Sequence, residues 1–159
     1  MALCAFTPVK WATYKSAEGH YSILFPGTPT VSVEETKTED GLPFKMHMAS
    51  LSPSDNEVYM VGWVDMSGFY PKEKSIKQIL EDSRDGAAGE MKATNVVTTT
   101  TNLSGNPYIE FIFSTADFVG KDRIYIINKH QYSVIAINSG TQGVPPAADK
   151  FINSFRYSK

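Results

Sequence analysis

Apolar and polar residues alternate with a period of two along most of the chain, and the period changes to that of a helix in two places only. Residues 11–15 and 21–25 are short aromatic runs separated by Ser16-Ala17-Glu18-Gly19-His20. That spacing predicts a first hairpin, with Gly19 supplying the turn. Pro26-Gly27-Thr28-Pro29 then stops pairing, because neither proline has the donor that a central strand needs. Val31 and Val33 open another strand, which runs into the acidic turn Glu39-Asp40-Gly41. Phe44, Met46 and Met48 alternate with Lys45 and His47, predicting one buried face and one wet face. Residues 57–66 are nearly continuous apolar sequence, as in a strand covered on both sides, which places them centrally in a sheet.

The main helix begins at Ser75, with Gln78 three residues on as a capping box. Ile76, Ile79, Leu80, Ser83, Ala87 and Met91 form its apolar stripe, and Gly86 and Gly89 predict an early end. A threonine-rich strand over 96–103 follows, then the turn Ser104-Gly105-Asn106-Pro107. Residues 108–115, 119–127 and 132–138 read as an antiparallel meander, its last two strands joined through Asn128-Lys129-His130-Gln131. Pro145 and Pro146 suit the start of a last helix that docks Phe151, Ile152 and Phe155. The expected core is Trp63, Ile76, Leu80, Ile124, Ile126, Ile135, Phe151 and Phe155. Helices separated by blocks of adjacent strands imply an α+β fold. The expectation is a mostly antiparallel central sheet with helices on both faces, an α/β/α sandwich, which would leave the central strands apolar on both sides.

At 159 residues the chain suits one domain, placed at 11–159 after a flexible tip over 1–10. The apolar opening from Met1 to Phe6 is too short for a whole signal peptide and reads as a plain terminus or the remnant of one. Cys4 is the single cysteine, so an internal disulfide and a cysteine-based zinc site are excluded. Fifteen basic against 17 acidic residues, a net charge of −2, argue against nucleic acid as a partner. No apolar run approaches the length of a membrane span.

Glu18-Gly19-His20-Tyr21-Ser22-Ile23-Leu24-Phe25-Pro26 resembles the opening strand and proline of PsbP-like domains. Arg123-Ile124-Tyr125, the strand at Tyr132 and the terminal Phe151-Ile152-Asn153-Ser154-Phe155 resemble the end of that family. Phe25-Pro26-Gly27-Thr28-Pro29 is most similar to its bacterial exported members; no tryptophan follows Pro26, unlike in the photosynthetic subunits. The resemblance implies an antiparallel sheet between helices. It also implies an exported, monomeric accessory or binding module that docks on another protein, with no catalytic, cofactor or metal residues.

Candidate chemistry is sparse. His20, His47 and His130 show no metal-ligand spacing and read as exposed. No Gly-x-Ser-x-Gly elbow or phosphate loop occurs. Glu34, Glu35, Glu39, Asp40, Asp55 and Glu57 make an acidic region. It reads as a solvated edge, the alternative being a hard-cation site between Glu39-Asp40 and Asp55-Glu57. Phe69 and Tyr70, in a loop bounded by Gly68 and Pro71, are the candidate partner contacts. The rival to a docking role is a small hydrolase using Asp65 and Glu110 on facing strands.

Overall fold

The computed structural model describes residues 9–140 and 142–159. Cys4 and the apolar opening lie outside the described residues. β1 (Ala12–Ser16) and β2 (Tyr21–Phe25) pair in the expected hairpin, from Ala12 opposite Phe25 to Ser16 opposite Tyr21. Gly19 lies in the turn over 17–20, its N–H donating to Ser16 Oγ at 3.0 Å, but the left-handed residue of that turn is His20, at φ 53°. Glycine is required at 19 for a different reason. An added Cβ would lie 2.7 Å from the Tyr21 ring and 2.8 Å from Nε1 of Trp63, so only glycine lets the hairpin tip press onto that indole.

β3 (Thr30–Lys37), β4 (Pro43–Ser54) and β5 (Glu57–Asp65) form a meander, followed by α1 (Ile76–Glu90). β6 (Asn95–Asn102), β7 (Tyr108–Ser114), β8 (Phe118–Ile127) and β9 (His130–Ser139) come next, then α2 (Ala148–Asn153) and β10 (Arg156–Tyr157). Seven strands make one antiparallel sheet in the order β3-β4-β5-β9-β8-β7-β6, with β5 inside it as its apolar run requires. β1, β2 and β10 form a second, three-stranded sheet.

The expected α/β/α sandwich is not what the chain builds. Strands take 51% of the chain and helices 14%, so the protein is mainly β. Only one face of the large sheet carries a long helix: α1 packs on β7 and β8. The opposite face is covered by the small sheet together with the six-residue α2. An apolar central strand demands a covering layer on each side but does not specify its type. Tyr21, Ile23 and Phe25, all buried, supply from β2 the apolar surface that had been assigned to a helix.

Two cores result, one on each face. Ile79 and Leu80 meet Ile109, Phe111, Phe113, Ile124, Ile126 and Ile135 under α1. On the other side Phe25, Tyr59, Tyr132, Phe151, Ile152 and Phe155 pack together. Of the expected core only Ile76 is half-buried, because it opens the helix at its solvent end. The Ser75–Gln78 capping box is present. Gly86 and Gly89 do not stop α1, which runs to Glu90 and buries Ala88 between them. Asn128 and Lys129, at φ 50° and 62°, make the two-residue turn between β8 and β9, and His130 and Gln131 already belong to the strand. Both residues left-handed is the type I′ geometry that matches strand twist.

Candidate functional site

Strand register builds a cleft at one end of the large sheet. His47 on β4 stands opposite Trp63 on β5, which stands opposite Tyr132 on β9. His47 lies on the indole, ring centroids 3.9 Å apart and planes 13° from parallel. Only 12% of its side chain is exposed, so the wet face expected at His47 is instead an aromatic stack. The reason is local: β4 is flanked by β5, and Trp63 is wide enough to cover its neighbour. His130 lies 5.9 Å from Trp63 with its ring tilted 41° to the indole, and its Nδ1 is 3.0 Å from the Asn128 carbonyl oxygen. Two acids sit outside: Glu18 lies 3.7 Å from His47 and Asp65 4.0 Å from His130. The Tyr132 hydroxyl donates to the Gly19 carbonyl at 2.9 Å, fixing the hairpin tip as one wall.

The resulting cleft, of about 460 Å³, is lined by Phe44, His47, Trp63, Asp65, Phe69 and His130 among others. Phe69 forms its mouth with Phe44, 5.4 Å between rings. Phe69 and Tyr70 are both half-buried, and Tyr70 packs toward the α1-side core. His47 and His130 are thus brought together although 83 positions of sequence separate them. Nothing in the local pattern could reveal it, since their meeting depends on the register of β4 on β5 and of β5 on β9. No group of three His, Cys, Asp or Glu side chains is placed to hold a metal among the described residues.

The facing carboxylate pair does not form. Asp65 ends β5, exposed, and accepts from the Ser67 backbone N–H at 2.8 Å; bonds from Ser67 hold its carboxyl below the ordinary value. Glu110 is buried on β7. β9 and β8 lie between the two strands, three spacings or about 14 Å across the sheet alone, beyond the roughly 9.5 Å that an acid/base pair spans. Burial would raise Glu110, but hydrogen bonds from Lys121, Thr99 and Arg123 outweigh it and hold the carboxyl below its usual range. Arg123 also donates to Asn153 of α2 at 2.9 Å, and Lys121 to Asp149 at 2.7 Å. Glu110 is therefore the anchor of the bracket that fastens α2. The candidate cation site fails for a simpler reason. Glu39-Asp40 and Asp55-Glu57 lie at opposite ends of β4, whose twelve residues extend about 40 Å.

A second depression lies on the other face of the sheet. α1 leaves β4 and β5 uncovered, and between them and its C-terminal half is a cavity of about 200 Å³. Its walls include Met46, Met48, Met60 and Met91, and Asp122 and Ser133 reach it from β8 and β9. Asp122 is 1% exposed, and burial pushes its carboxyl up to about 7 against the opposing hydrogen bonds of Ser133 and two backbone N–H groups. Neither the methionines nor Asp122 stood out in the sequence as a site. The period-two run of Phe44, Met46 and Met48 was the available signal, and it reads equally well as core.

No protein-family model matches the chain, and no curated protein matches it either. Among the described residues no helix is long and apolar enough to cross a membrane.

Proposed function

We propose that the protein is a non-catalytic binding module that docks on a protein partner through the cleft between Trp63 and Phe69. The observation that carries this reading is the cleft's composition: the rings of Phe44, Trp63 and Phe69 with the imidazoles of His47 and His130, on strands and one loop, with Glu18, Lys45 and Asp65 around them. Aromatic anchors at the centre and charge at the rim is how partner surfaces are built. Phe69 belongs to this reading as the loop side of the mouth, after β5, while Tyr70 beside it packs against the α1-side core and does not line the cleft. The partner segment suited to it presents one apolar or aromatic side chain between polar neighbours.

The short motifs similar to PsbP-like domains support the accessory role and an exported setting. They fall largely on core residues, since Tyr21, Phe25, Phe151 and Phe155 unite β2 with the chain's end. The hydrolase alternative has lost its motive, because the burial of Glu110 is accounted for by Lys121 and Arg123.

A photoreactive phenylalanine at position 69 tests the site in extract from the native cell. A discrete adduct at 69, missing when the same group replaces exposed Leu103, is expected. Phe69→Ala/Tyr70→Ala should abolish capture of that same protein while the fold persists. Equal labelling from both positions overturns the site.

A further inference from the structure

The methionine-walled cavity is distinct from the aromatic cleft, since strand alternation points Met46, Met48 and Met60 away from the face that carries His47 and Trp63. Its floor is shaped by Gly62, which stands in register between Met48 and Ser133. A Cβ added there would meet only the His47 carbonyl oxygen, at 3.9 Å. The missing side chain is therefore what opens the floor. Around it stand four methionines, whose unbranched, polarizable side chains adapt to varied apolar shapes.

The polar end of the cavity is unusual in charge. Among the described residues two carboxylates are buried, Glu110 and Asp122. Glu110 has two cations, Lys121 and Arg123. Asp122 lies between those same two residues in sequence, but alternation sends their side chains to the opposite face. Its partners are the Ser133 hydroxyl, which donates to both carboxyl oxygens at 2.9 and 3.0 Å, and the backbone N–H groups of Arg123 and Val134. From α1 the facing charged group is Glu90, another acid, and the cavity lining includes no lysine or arginine. A buried carboxylate facing an apolar cavity without a cation is a costly arrangement, and a cation arriving from outside would relieve it.

We propose that this cavity binds a small organic cation, an amine whose apolar body packs among Met46, Met48, Met60 and Met91 and whose ammonium group meets the Ser133 hydroxyl, with the Asp122 carboxylate directly behind it. The Ser133 oxygen accepts from the ammonium while its O–H continues to donate to the carboxylate. The volume sets the size. A dry cavity of about 150 Å³ takes up benzene, so about 200 Å³ suits a body of that size or slightly larger. Because burial moves Asp122 up to about 7, the cation's advantage over a neutral ligand grows as pH rises from 6 to 8. A primary alkylammonium stays charged throughout that range.

The test uses the whole chain labelled with carbon-13 at the methionine methyl groups, titrated with n-hexylammonium and, separately, with neutral 1-hexanol. Hexylammonium is expected to move the methyl signals of Met46, Met48, Met60 and Met91 and leave Met66 in place. It should bind about tenfold more tightly than hexanol at pH 8, as a hydrogen bond to a charged group implies, and lose most of that advantage at pH 6. Asp122→Asn, which keeps shape and removes charge, should equalise the two probes. Gly62→Val, which fills the floor, should weaken both. If Asp122→Asn does not fold, Ser133→Ala and the pH series of the unaltered chain decide. Equal affinity for amine and alcohol at pH 8, an advantage indifferent to pH, or methionine signals that move with neither probe each overturns the proposal.

Discussion

Trp63 carries His47 flat against one side of its indole, and the pair closes the wall of the aromatic cleft. Trp63 is itself only 7% exposed, so His47 serves as much of its lid. In a Trp11→Phe background, His47→Ala should shift the fluorescence of Trp63 to longer wavelength. It should also lower stability by about 1 kcal/mol, the scale of an aromatic pair beyond its buried area. Unchanged emission would show that other groups shield the indole.

Phe155 sits between two tyrosine rings, 5.5 Å from Tyr21 and 4.8 Å from Tyr125, both nearly parallel to it. Phe155→Ala is expected to cost about 3–5 kcal/mol, since the cavity it leaves is walled by strands that cannot collapse. The urea midpoint measures it. A change below about 1 kcal/mol would mean the chain's end is not docked in solution.

Arg123→Ala leaves the buried Glu110 carboxylate with Lys121 and Thr99 only and should destabilise the protein by about 1–3 kcal/mol at pH 7. The sign with pH follows from the lowered Glu110 value. Its stabilising contribution is present above the ordinary carboxylate range and lost as pH falls through the depressed folded value. The penalty of Arg123→Ala should therefore shrink in acid, once Glu110 is protonated. Denaturation at pH 7 and pH 3 compares the two.

Asp122 acts in the opposite sense. Its folded value, about 7, lies above the ordinary 3.8, so the native state binds more protons and stability falls as pH rises through that interval. About three units correspond to roughly 4 kcal/mol. Asp122→Asn should flatten this part of the profile, making the variant more stable than the parent relative to its own value at pH 4. Parallel profiles from pH 4 to 8 would refute the raised value.

Glycines in the chain separate by surroundings. Gly120 pairs with Phe113, whose ring lies across it, and an added Cβ would come within 2.3 Å of that ring. Gly86 in α1 has nothing within 4 Å. Gly120→Ala should destabilise by more than 1 kcal/mol, and Gly86→Ala should stabilise by about 0.5–1 kcal/mol. Thermal midpoints moving in the same direction would contradict the pairing.

Most strands and their succession along the chain were legible because turns and alternation are local properties. Ser75 with Gln78 located the helix start, and the continuous apolar run from Val58 to Val64 placed β5 inside the sheet. What covers each face was not legible, because a buried Tyr21 or Phe25 serves the core equally from a strand or a helix. β10 was missed for a related reason. Arg156 and Tyr157 have no periodicity to read, and they pair only because β2 presents Ser22 and Tyr21 beside them. At the site, Phe69 could be picked out from its loop, whereas His47, His130 and Asp122 acquire their surroundings only through register. A histidine two residues from another polar group looks the same in sequence whether an indole or water lies beside it.

The two-residue turn between β8 and β9 bears on the order in which the molecule assembles. Ten register pairs, from Ile127 with His130 out to Phe118 with Ser139, zip from a closure of minimal loop entropy. The small sheet is the reverse case: the backbone N–H of Leu24 donates to Ser154, 130 residues away. The central hairpin is accordingly expected to form early, and the contact between β2 and the segment after α2 late. The same contact should open early. Amide protons of β2 and β10 should exchange through a partial opening that leaves β8 and β9 protected, so that the wall holding Trp63 in place can be released without unfolding the central strands.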